Sequence, residues 1–190
     1  VKIAEDGEIL VSGENVMNGY WNDPDATSKT LINGWIHTGD IGEFDDEDYL
    51  KITDRKKDIL VNAGGDNISP TRVEAKLDIE PEIAQSMLYG DYKNYLVAVI
   101  VPNKDFAINW AKENSKDQVF ESIVKDEDFI KTMKEIINKV NKNLSVIEQV
   151  RKFILIDHEF TIENSMMTVS MKVRRFAVKD KYGDQLEKLY

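Results

Sequence analysis

The pattern of hydrophobic and polar residues changes character near residue 54. Up to that point, short apolar runs are bounded by glycine, asparagine and aspartate, which is typical of strands joined by turns. The runs predict strands at residues 9–11, 35–37, 41–44 and 49–52, with an acidic hairpin tip between the last two and a short helix after the turn at 22–25. This part of the chain is therefore predicted to be β-rich.

Beyond Asp54, strand and helix patterns alternate. We predict helices at residues 70–77, after Asn103, at 126–144 and near the end of the chain, and strands at 83–89, 95–101 and 153–156. The run YLVAVIV at 95–101 is apolar throughout, as in a strand that is covered on both faces. Apolar residues recur at intervals of three and four in 126–144, and three acidic residues stand at its start, where the helix dipole is positive. The fold class is α/β (α+β), a small mixed sheet with packed helices.

These patterns predict two domains. Residues 1–54 are too few to close a sheet, and their edge strands would be unpaired, so we interpret them as the end of a larger β-rich domain. Residues 55–190 are enough for a separate α/β domain. The chain begins at Val1 in strand-like sequence, which suggests that it belongs to a longer polypeptide.

Composition restricts the classes of function and of site that the chain can have. The chain is 42% hydrophobic and 32% charged, with a net charge of −10, so we expect a globular protein whose surface does not suit nucleic acid. No apolar run is long enough for a membrane span and no signal peptide begins the chain, so a cytoplasmic location is predicted. The absence of cysteine excludes disulfides, thiolate catalysis and cysteine-bound zinc, and two histidines argue against a histidine metal cluster.

Two local groups of basic residues stand out against this acidic background. One is the triplet at 55–57, and the other contains Lys172, Arg174 and Arg175. Two small basic sites on an acidic body suit a small phosphate ligand better than a polyanion.

The segment 53–74, TDRKKDILVNAGGDNISPTRVE, contains the first of these groups. It predicts a strand, a turn at Gly64-Gly65, a second strand, and a helix that begins with Ser69 as N-cap and Pro70 in its first turn. Paired glycines leave a backbone against which a ligand can lie. Taken alone, however, such a hairpin is more often structural.

Two further motifs flank this segment, GWIHTGD at 34–40 and TVSMKVRR at 168–175. In this order and spacing, the three resemble the carboxy-terminal third of the AMP-forming acyl-CoA synthetases, in the adenylate-forming superfamily. The sequences of these motifs are most similar to the long-chain fatty acyl-CoA synthetase branch, and the resemblance covers essentially the whole chain. It implies a mobile α/β lid domain preceded by the end of the large adenylation domain.

The resemblance also implies a reaction in two halves. A fatty acid carboxylate attacks the α-phosphate of ATP to give acyl-AMP and pyrophosphate, and the thiol of CoA then attacks the acyl group and releases AMP. Lys172 matches the lysine that bridges carboxylate and phosphate in the first half. Met171 and Val169 stand where many relatives have glycine and proline. Without the resemblance, Lys172 would be read as a solvated lysine in a basic turn.

Asp40 and Arg55 match residues that hold the nucleotide. The resemblance implies that Asp40 binds the ribose of AMP and that Arg55 binds the ribose or a phosphate. Gly39 would let the backbone turn so that the aspartate faces the pocket. The structural alternatives are a turn aspartate after glycine and an ion pair of Arg55 with Asp54 or Asp58.

Lys57 and the glycine turn complete the candidate residues. In related enzymes the small domain rotates about the position of Lys57, and such hinges absorb the change in a few residues. The resemblance then assigns Lys172 to adenylation and Gly64-Gly65 to the CoA-binding pantetheine path of the second half.

Several family features do not occur in these 190 residues. There is no Ser/Thr/Gly-rich phosphate loop, no motif with the magnesium-binding glutamate, and no acyl pocket. We therefore expect magnesium ligands outside this chain, a large domain of the same polypeptide as partner, and no activity of the chain alone. Two alternatives stay open: acyl transfer to a carrier protein in place of CoA, and a non-catalytic interaction module.

Overall fold

The computed structural model describes residues 1–190, which form two compact units, Val1–Ile59 and Leu60–Tyr190. The domain boundary and hinge predicted from the sequence, at residues 54–57, stay predictions. None of the helices is long and apolar enough to cross a membrane.

The first unit is an antiparallel sheet of five strands with one short helix. Its elements are β1 (Lys2–Ile3), β2 (Glu8–Val11), α1 (Pro24–Thr30), β3 (Leu31–Ile32), β4 (Trp35–Phe44), β5 (Leu50–Arg55) and a 3₁₀ turn (Lys56–Asp58). Strand β4 pairs with β2 along one edge and with β3 and β5 along the other. Helix α1 begins after Asp23, whose carboxylate accepts a hydrogen bond from the Ala26 N–H at 2.9 Å.

Strand β4 differs from the prediction. Two strands separated by a turn at Gly39 were expected, but one strand continues from Trp35 to Phe44. Leu10 of β2 lies opposite His37 and Glu8 lies opposite Ile41, so the three residues 38–40 face Ile9 alone. This is a β-bulge, and Gly39 takes a φ of +70° within it. The glycine redirects the chain inside a strand, without ending it.

The second unit is a mixed α/β domain. Its elements are β6 (Leu60–Val61), β7 (Asn67–Ile68), α2 (Pro70–Asp78), β8 (Ile83–Tyr89), β9 (Leu96–Pro102), α3 (Lys104–Glu113), α4 (Phe120–Ile123), α5 (Glu127–Asn141), a 3₁₀ turn (Val146–Glu148), β10 (Val150–Leu155) and α6 (Arg175–Glu187). Strands β6 and β7 form a hairpin, while β8 and β10 flank β9, antiparallel and parallel to it respectively. The parallel pair needs a long crossover, which α3, α4 and α5 provide.

Strand β9 is buried on both faces, as its apolar run predicts. Leu96, Ala98 and Ile100 join a cluster with residues of α2, α3 and α5, whereas Val97 and Val99 join a second cluster with residues of α6. The sheet therefore has helices on both sides, and the predicted mixed α/β fold is confirmed.

The ends of α5 and β10 differ from the predicted limits by about three residues each. The helix ends at Asn141 and the strand begins at Val150, because the Asn141 amide pairs with the Val150 backbone in both directions, at 2.9 Å each. The helix starts follow their caps: the side chains of Ser69, Asn103 and Asp126 accept hydrogen bonds from first-turn N–H groups.

Candidate functional site

Asp40 and Arg55 lie opposite each other on strands β4 and β5. The Arg55 guanidinium donates a hydrogen bond from Nη1 to Asp40 Oδ1 at 2.6 Å. The side chain of Arg55 thus pairs with Asp40, while the carboxylate of Asp54 accepts the Arg55 backbone N–H at 2.7 Å. The two candidate nucleotide ligands are therefore neighbours, and their side chains are 53% (Arg55) and 23% (Asp40) exposed.

The bulge of β4 positions Asp40. The Thr38 hydroxyl donates to the Ile9 carbonyl at 2.7 Å and accepts from the Asp40 N–H at 3.1 Å. The Gly39 N–H, which the bulge turns out of the strand ladder, donates to Glu8 Oε1 at 2.9 Å. Each residue of the Thr-Gly-Asp motif is thus anchored by hydrogen bonds to β2 or within the bulge, and only the Asp40 carboxylate is left to face Arg55.

Glu8 is a buried carboxylate behind this motif, and no sequence motif pointed to it. It is 4% exposed, and besides the Gly39 N–H it is bonded to His37 Nδ1 at 2.9 Å and to Lys56 Nζ at 3.0 Å. Burial alone would raise the pKa of Glu8, but the hydrogen bonds from His37, Lys56 and Gly39 outweigh it and keep that pKa below its usual value. Glu8 is therefore a charged carboxylate that connects strand β4, through His37 and Gly39, to Lys56 of the 3₁₀ turn.

The glycine turn of the second unit is a tight hairpin between β6 and β7. Asn62 Oδ1 accepts from the N–H groups of Gly64 and Asp66 at 2.9 Å each, and Gly65 takes a φ of +88°. A Cβ added at Gly65 would meet no atom within 4 Å. Glycine is therefore favoured here by the positive φ and not by lack of space, and open space lies beside it. Gly64 and Gly65 are both exposed.

The turn between β8 and β9 holds this hairpin in place. The Val61 N–H donates to Asp91 Oδ1 at 3.0 Å, and the Val61 carbonyl accepts from the Tyr92 N–H at 2.6 Å. The Ala63 N–H donates to the Lys93 carbonyl at 3.0 Å. A hairpin of two-residue strands gains its fixed position from these contacts.

Lys172 lies at the end of a small loop that precedes α6. Its N–H donates to Thr168 Oγ1 at 3.0 Å, and its carbonyl accepts from the Thr168 N–H at 2.8 Å. Met171 takes a φ of +60°, a conformation that glycine adopts at lower cost, which explains why glycine suits this position. The Lys172 side chain is exposed, and its ammonium makes no ion pair within the chain.

Arg175 is not part of a free basic group with Lys172, contrary to the sequence prediction. Its guanidinium makes a bidentate ion pair with Glu74 of α2, with Nη1 donating to Oε1 at 2.6 Å. Glu74 Oε1 also accepts the Leu88 N–H at 2.6 Å, and Glu74 is only 8% exposed. Arg175 thus anchors the start of α6 beside Lys172, and Arg174 stays exposed.

The three basic residues at 55–57 also differ in whether they form ion pairs. Arg55 pairs with Asp40, Lys56 pairs with Asp6 and Glu8, and Lys57 is exposed in the 3₁₀ turn without an ion pair. No group of three or more His, Cys, Asp or Glu side chains is arranged to hold a metal ion.

Comparison with known proteins adds the family. The model of the AMP-binding enzyme C-terminal domain matches residues 57–190. The long-chain-fatty-acid–CoA ligase FadD15 of Mycobacterium tuberculosis is 35% identical over 192 residues, covering 100% of this chain and 32% of the ligase. This chain therefore spans about a third of that relative's length.

Solved structures agree with this kinship. The adenylation domain of a carboxylate reductase from Mycobacterium chelonae superposes with a TM-score of 0.80 at 28% identity, over 97% of this chain and 27% of that one. The A-PCP didomain of a carboxylic acid reductase from Segniliparus rugosus, in complex with AMP, gives 0.75 at 27% identity, over 97% and 24%. The resemblance seen in three motifs is confirmed, and this chain belongs to the AMP-binding enzyme C-terminal domain family.

Proposed function

We propose that this chain is the carboxy-terminal part of an ATP-dependent fatty acid–CoA ligase that forms acyl-AMP and then acyl-CoA. The observation that carries the proposal is the pairing of Asp40 with Arg55 at 2.6 Å, which brings two side chains suited to a nucleotide together on adjacent strands. The 35% identity to a long-chain ligase over the whole chain supports the choice of fatty acid and CoA as substrates.

In this proposal Asp40 and Arg55 bind the nucleotide by complementary chemistry. A carboxylate accepts hydrogen bonds from both hydroxyls of a ribose, and a guanidinium donates to ribose or phosphate oxygens. The ion pair between them fixes the direction of the carboxylate. Binding of AMP then adds acceptors for Arg55 and donors for Asp40 at a site whose two ligands are already in place.

Lys172 supplies the positive charge for adenylation. An anionic carboxylate must approach an anionic phosphate, and a cation between the two lowers that barrier by electrostatic stabilisation. A lysine suits the task because its ammonium is a compact charge on a flexible stem. The exposed loop at 168–172 leaves this ammonium free of competing carboxylates within the chain.

The second half of the reaction is assigned to the other face of the lid. Residues 55–190 act as the lid, Lys57 as its hinge, and residues 1–54 as the end of the large domain. The open space beside Gly65 supports a role for the Gly64-Gly65 turn in passing the pantetheine arm of CoA. The phosphate loop, the magnesium ligands and the acyl pocket belong to the rest of the polypeptide, so the 190-residue chain alone is inactive.

The decisive experiment compares Lys172→Ala with Lys134→Ala in the full-length polypeptide. Lys134 is an exposed lysine of α5 without an ion pair, so it controls for loss of charge. We expect Lys172→Ala to lower acyl-AMP formation by about 10²- to 10³-fold, the usual effect of removing one electrostatic contact to a transition state. Conversion of added acyl-AMP to acyl-CoA should change by less than about threefold, because that half does not use Lys172.

An unchanged rate of acyl-AMP formation in Lys172→Ala would instead support a non-catalytic interaction module. Acyl-AMP formation by the 190-residue chain alone, from ATP and a fatty acid, would refute the assignment of the phosphate loop to the rest of the polypeptide.

A carrier protein is the second candidate acceptor. It is favoured by the structural similarity to a carboxylic acid reductase didomain that includes a carrier domain. The full-length polypeptide, once loaded with acyl-AMP, is to be offered free CoA and a phosphopantetheinylated carrier protein in parallel. Faster release of AMP with CoA supports the ligase, and faster release with the carrier supports the alternative.

A further inference from the structure

Lys56 is the residue immediately before the proposed hinge, and its side chain is tied to two carboxylates. The ammonium donates to Asp6 Oδ2 at 2.6 Å and to Glu8 Oε2 at 3.0 Å. The hydrogen bond that Lys56 donates to Asp6, and next the one it donates to Glu8, raise the pKa of Lys56 above its ordinary value. Lys57, one residue later, has no such partner. A lysine held by two ion pairs, Lys56, is thus followed directly by one without an ion pair, Lys57, at the point where rotation is proposed.

Glu8 links Lys56 to the bulge that carries Asp40. One oxygen of its buried carboxylate accepts the Gly39 N–H at 2.9 Å, while the other accepts from Lys56 and lies 2.9 Å from His37 Nδ1. A buried carboxylate loses much of its hydration and needs such partners to stay charged. The same group therefore fixes the backbone beside Asp40 and the chain directly after Arg55.

We propose that Glu8 is a positioning residue that clamps Lys56, and with it the fixed side of the hinge, to the Asp40 bulge. The inference rests on the proposed function and adds to it the residues that limit the motion. A change of φ and ψ at Lys57 moves the residues beyond it, and a clamp at Lys56 prevents that change from spreading back into β5. Arg55 then keeps its register opposite Asp40 while the lid turns.

Substitutions separate the contact of Glu8 with Lys56 from its contact with the Gly39 N–H. Lys56→Met keeps most of the aliphatic stem and leaves the Gly39 N–H with its acceptor, but removes both ion pairs of Lys56, with Glu8 and with Asp6. Glu8→Ala removes the clamp and also the acceptor of the Gly39 N–H. Lys56→Arg keeps a cation in the same place. Lys51→Met is the matched control, because Lys51 makes an ion pair with Asp45 at 3.3 Å and lies on β5, the strand just before the turn that contains Lys56, away from Glu8.

The first measurement is amide hydrogen exchange on the full-length polypeptide, which needs no activity. In Lys56→Met we expect the amides of residues 57–59 to exchange about five times faster, since the 3₁₀ turn loses its anchor, while the Gly39 amide changes by less than about twofold. In Glu8→Ala the Gly39 amide should exchange at least about tenfold faster as well. Equal exchange in Lys56→Met and Lys51→Met would overturn the clamp.

The second measurement is the KM and kcat of the full-length polypeptide. Lys56→Met should lower kcat for acyl-CoA formation by about five- to tenfold, because the hinge motion then spreads into β5 and Arg55 loses its register during turnover. KM for ATP should change less than about twofold, because the Asp40 bulge keeps its anchor on Glu8. Glu8→Ala should in addition raise KM for ATP by about tenfold, and Lys56→Arg should restore most of kcat.

If Glu8 is merely structural, Glu8→Ala will lower the apparent kcat only in proportion to the loss of folded protein and leave KM for ATP unchanged, and Lys56→Arg will restore nothing; that outcome overturns the proposal. Wild-type polypeptide that forms no acyl-AMP would refute the proposed function, while the exchange experiment would still decide whether the clamp exists.

Discussion

At the scale of single residues, Asp40 and Arg55 neutralise each other in the absence of a ligand, and both retain atoms that face solvent. A bound nucleotide would add hydrogen bonds to a carboxylate that the bulge already holds in place through Thr38 and Gly39. The strength of binding should therefore depend on the charge of Asp40 more than on its shape.

Asp40→Asn tests this dependence in the full-length polypeptide. The amide keeps one acceptor oxygen but loses the charge, and hydrogen bonds to charged groups contribute about 1.5–3 kcal/mol. We expect the Kd for AMP, measured by calorimetry, to rise at least about tenfold. Asp45→Asn is the matched control, because Asp45 pairs with Lys51 on the hairpin of the same sheet. Equal weakening in both variants would contradict a ribose contact of Asp40.

The same scale shows where sequence reasoning ends. Lys172, Asp40 and Arg55 could be named because each stands in a local motif whose order along the chain is distinctive. Glu8 and Glu74 could not, because their partners Lys56 and Arg175 lie 48 and 101 residues away. Such pairs depend on the register of a bulged strand and on helix packing. The neighbours Lys172 and Arg175 were grouped by sequence proximity, but the Arg175 guanidinium is bound by Glu74 on α2.

At the scale of elements, helices were predicted more accurately than the conformation of β4. Side chains that cap a helix act within three residues, so Ser69, Asn103 and Asp126 could be recognised from the sequence. The bulge at Gly39 depends on β2, about thirty residues earlier, because Ile9 alone lies opposite three residues of β4. The sequence therefore predicted a break between two strands at this glycine, where the sheet allows one strand to continue.

The pair of Glu74 and Arg175 joins two elements, helix α2 and the first turn of α6, and Glu74 also binds the Leu88 N–H of β8. Glu74→Ala would leave this N–H and a guanidinium that is only 24% exposed without their carboxylate. Breaking a buried pair from one side costs about 3–5 kcal/mol. We expect a loss of about 3 kcal/mol in the free energy of unfolding of the 190-residue chain, measured in urea.

An exposed ion pair provides the control for Glu74→Ala. Lys131 pairs with Asp128 at 3.0 Å on the surface of α5, with side chains 70% and 57% exposed. Lys131→Ala should change the free energy of unfolding by less than about 1 kcal/mol, since such pairs contribute little. A similar loss in both variants would show that Glu74 does not anchor α6.

At the scale of the whole molecule, the buried apolar residues are distributed very unevenly. Of the buried hydrophobic side chains, only Ile9 and Leu10 belong to Val1–Ile59, and all the others lie between Ile68 and Leu186. The first unit also exposes large apolar side chains, among them Trp21 at 98% and Tyr49 at 67%. A sheet with so small a core gains little from burial against the entropy that folding costs. Its stability should depend on the rest of the polypeptide.

Fragments test this uneven distribution. The fragment 60–190 contains both hydrophobic clusters complete, so we expect it to fold alone and to unfold cooperatively in urea. The fragment 1–59 should give no cooperative transition, because it lacks a comparable core.

Trp110 is the only tryptophan of residues 60–190, so its fluorescence in that fragment reports on the second unit alone. The near-UV signal of 60–190 should persist up to the same urea concentration as in the 190-residue chain. A cooperative transition of 1–59 would show that its small core is sufficient for folding. A much earlier loss of structure in 60–190 would show that this unit is stabilised by residues 1–59, and the proposed lid would then not be an independently folded domain.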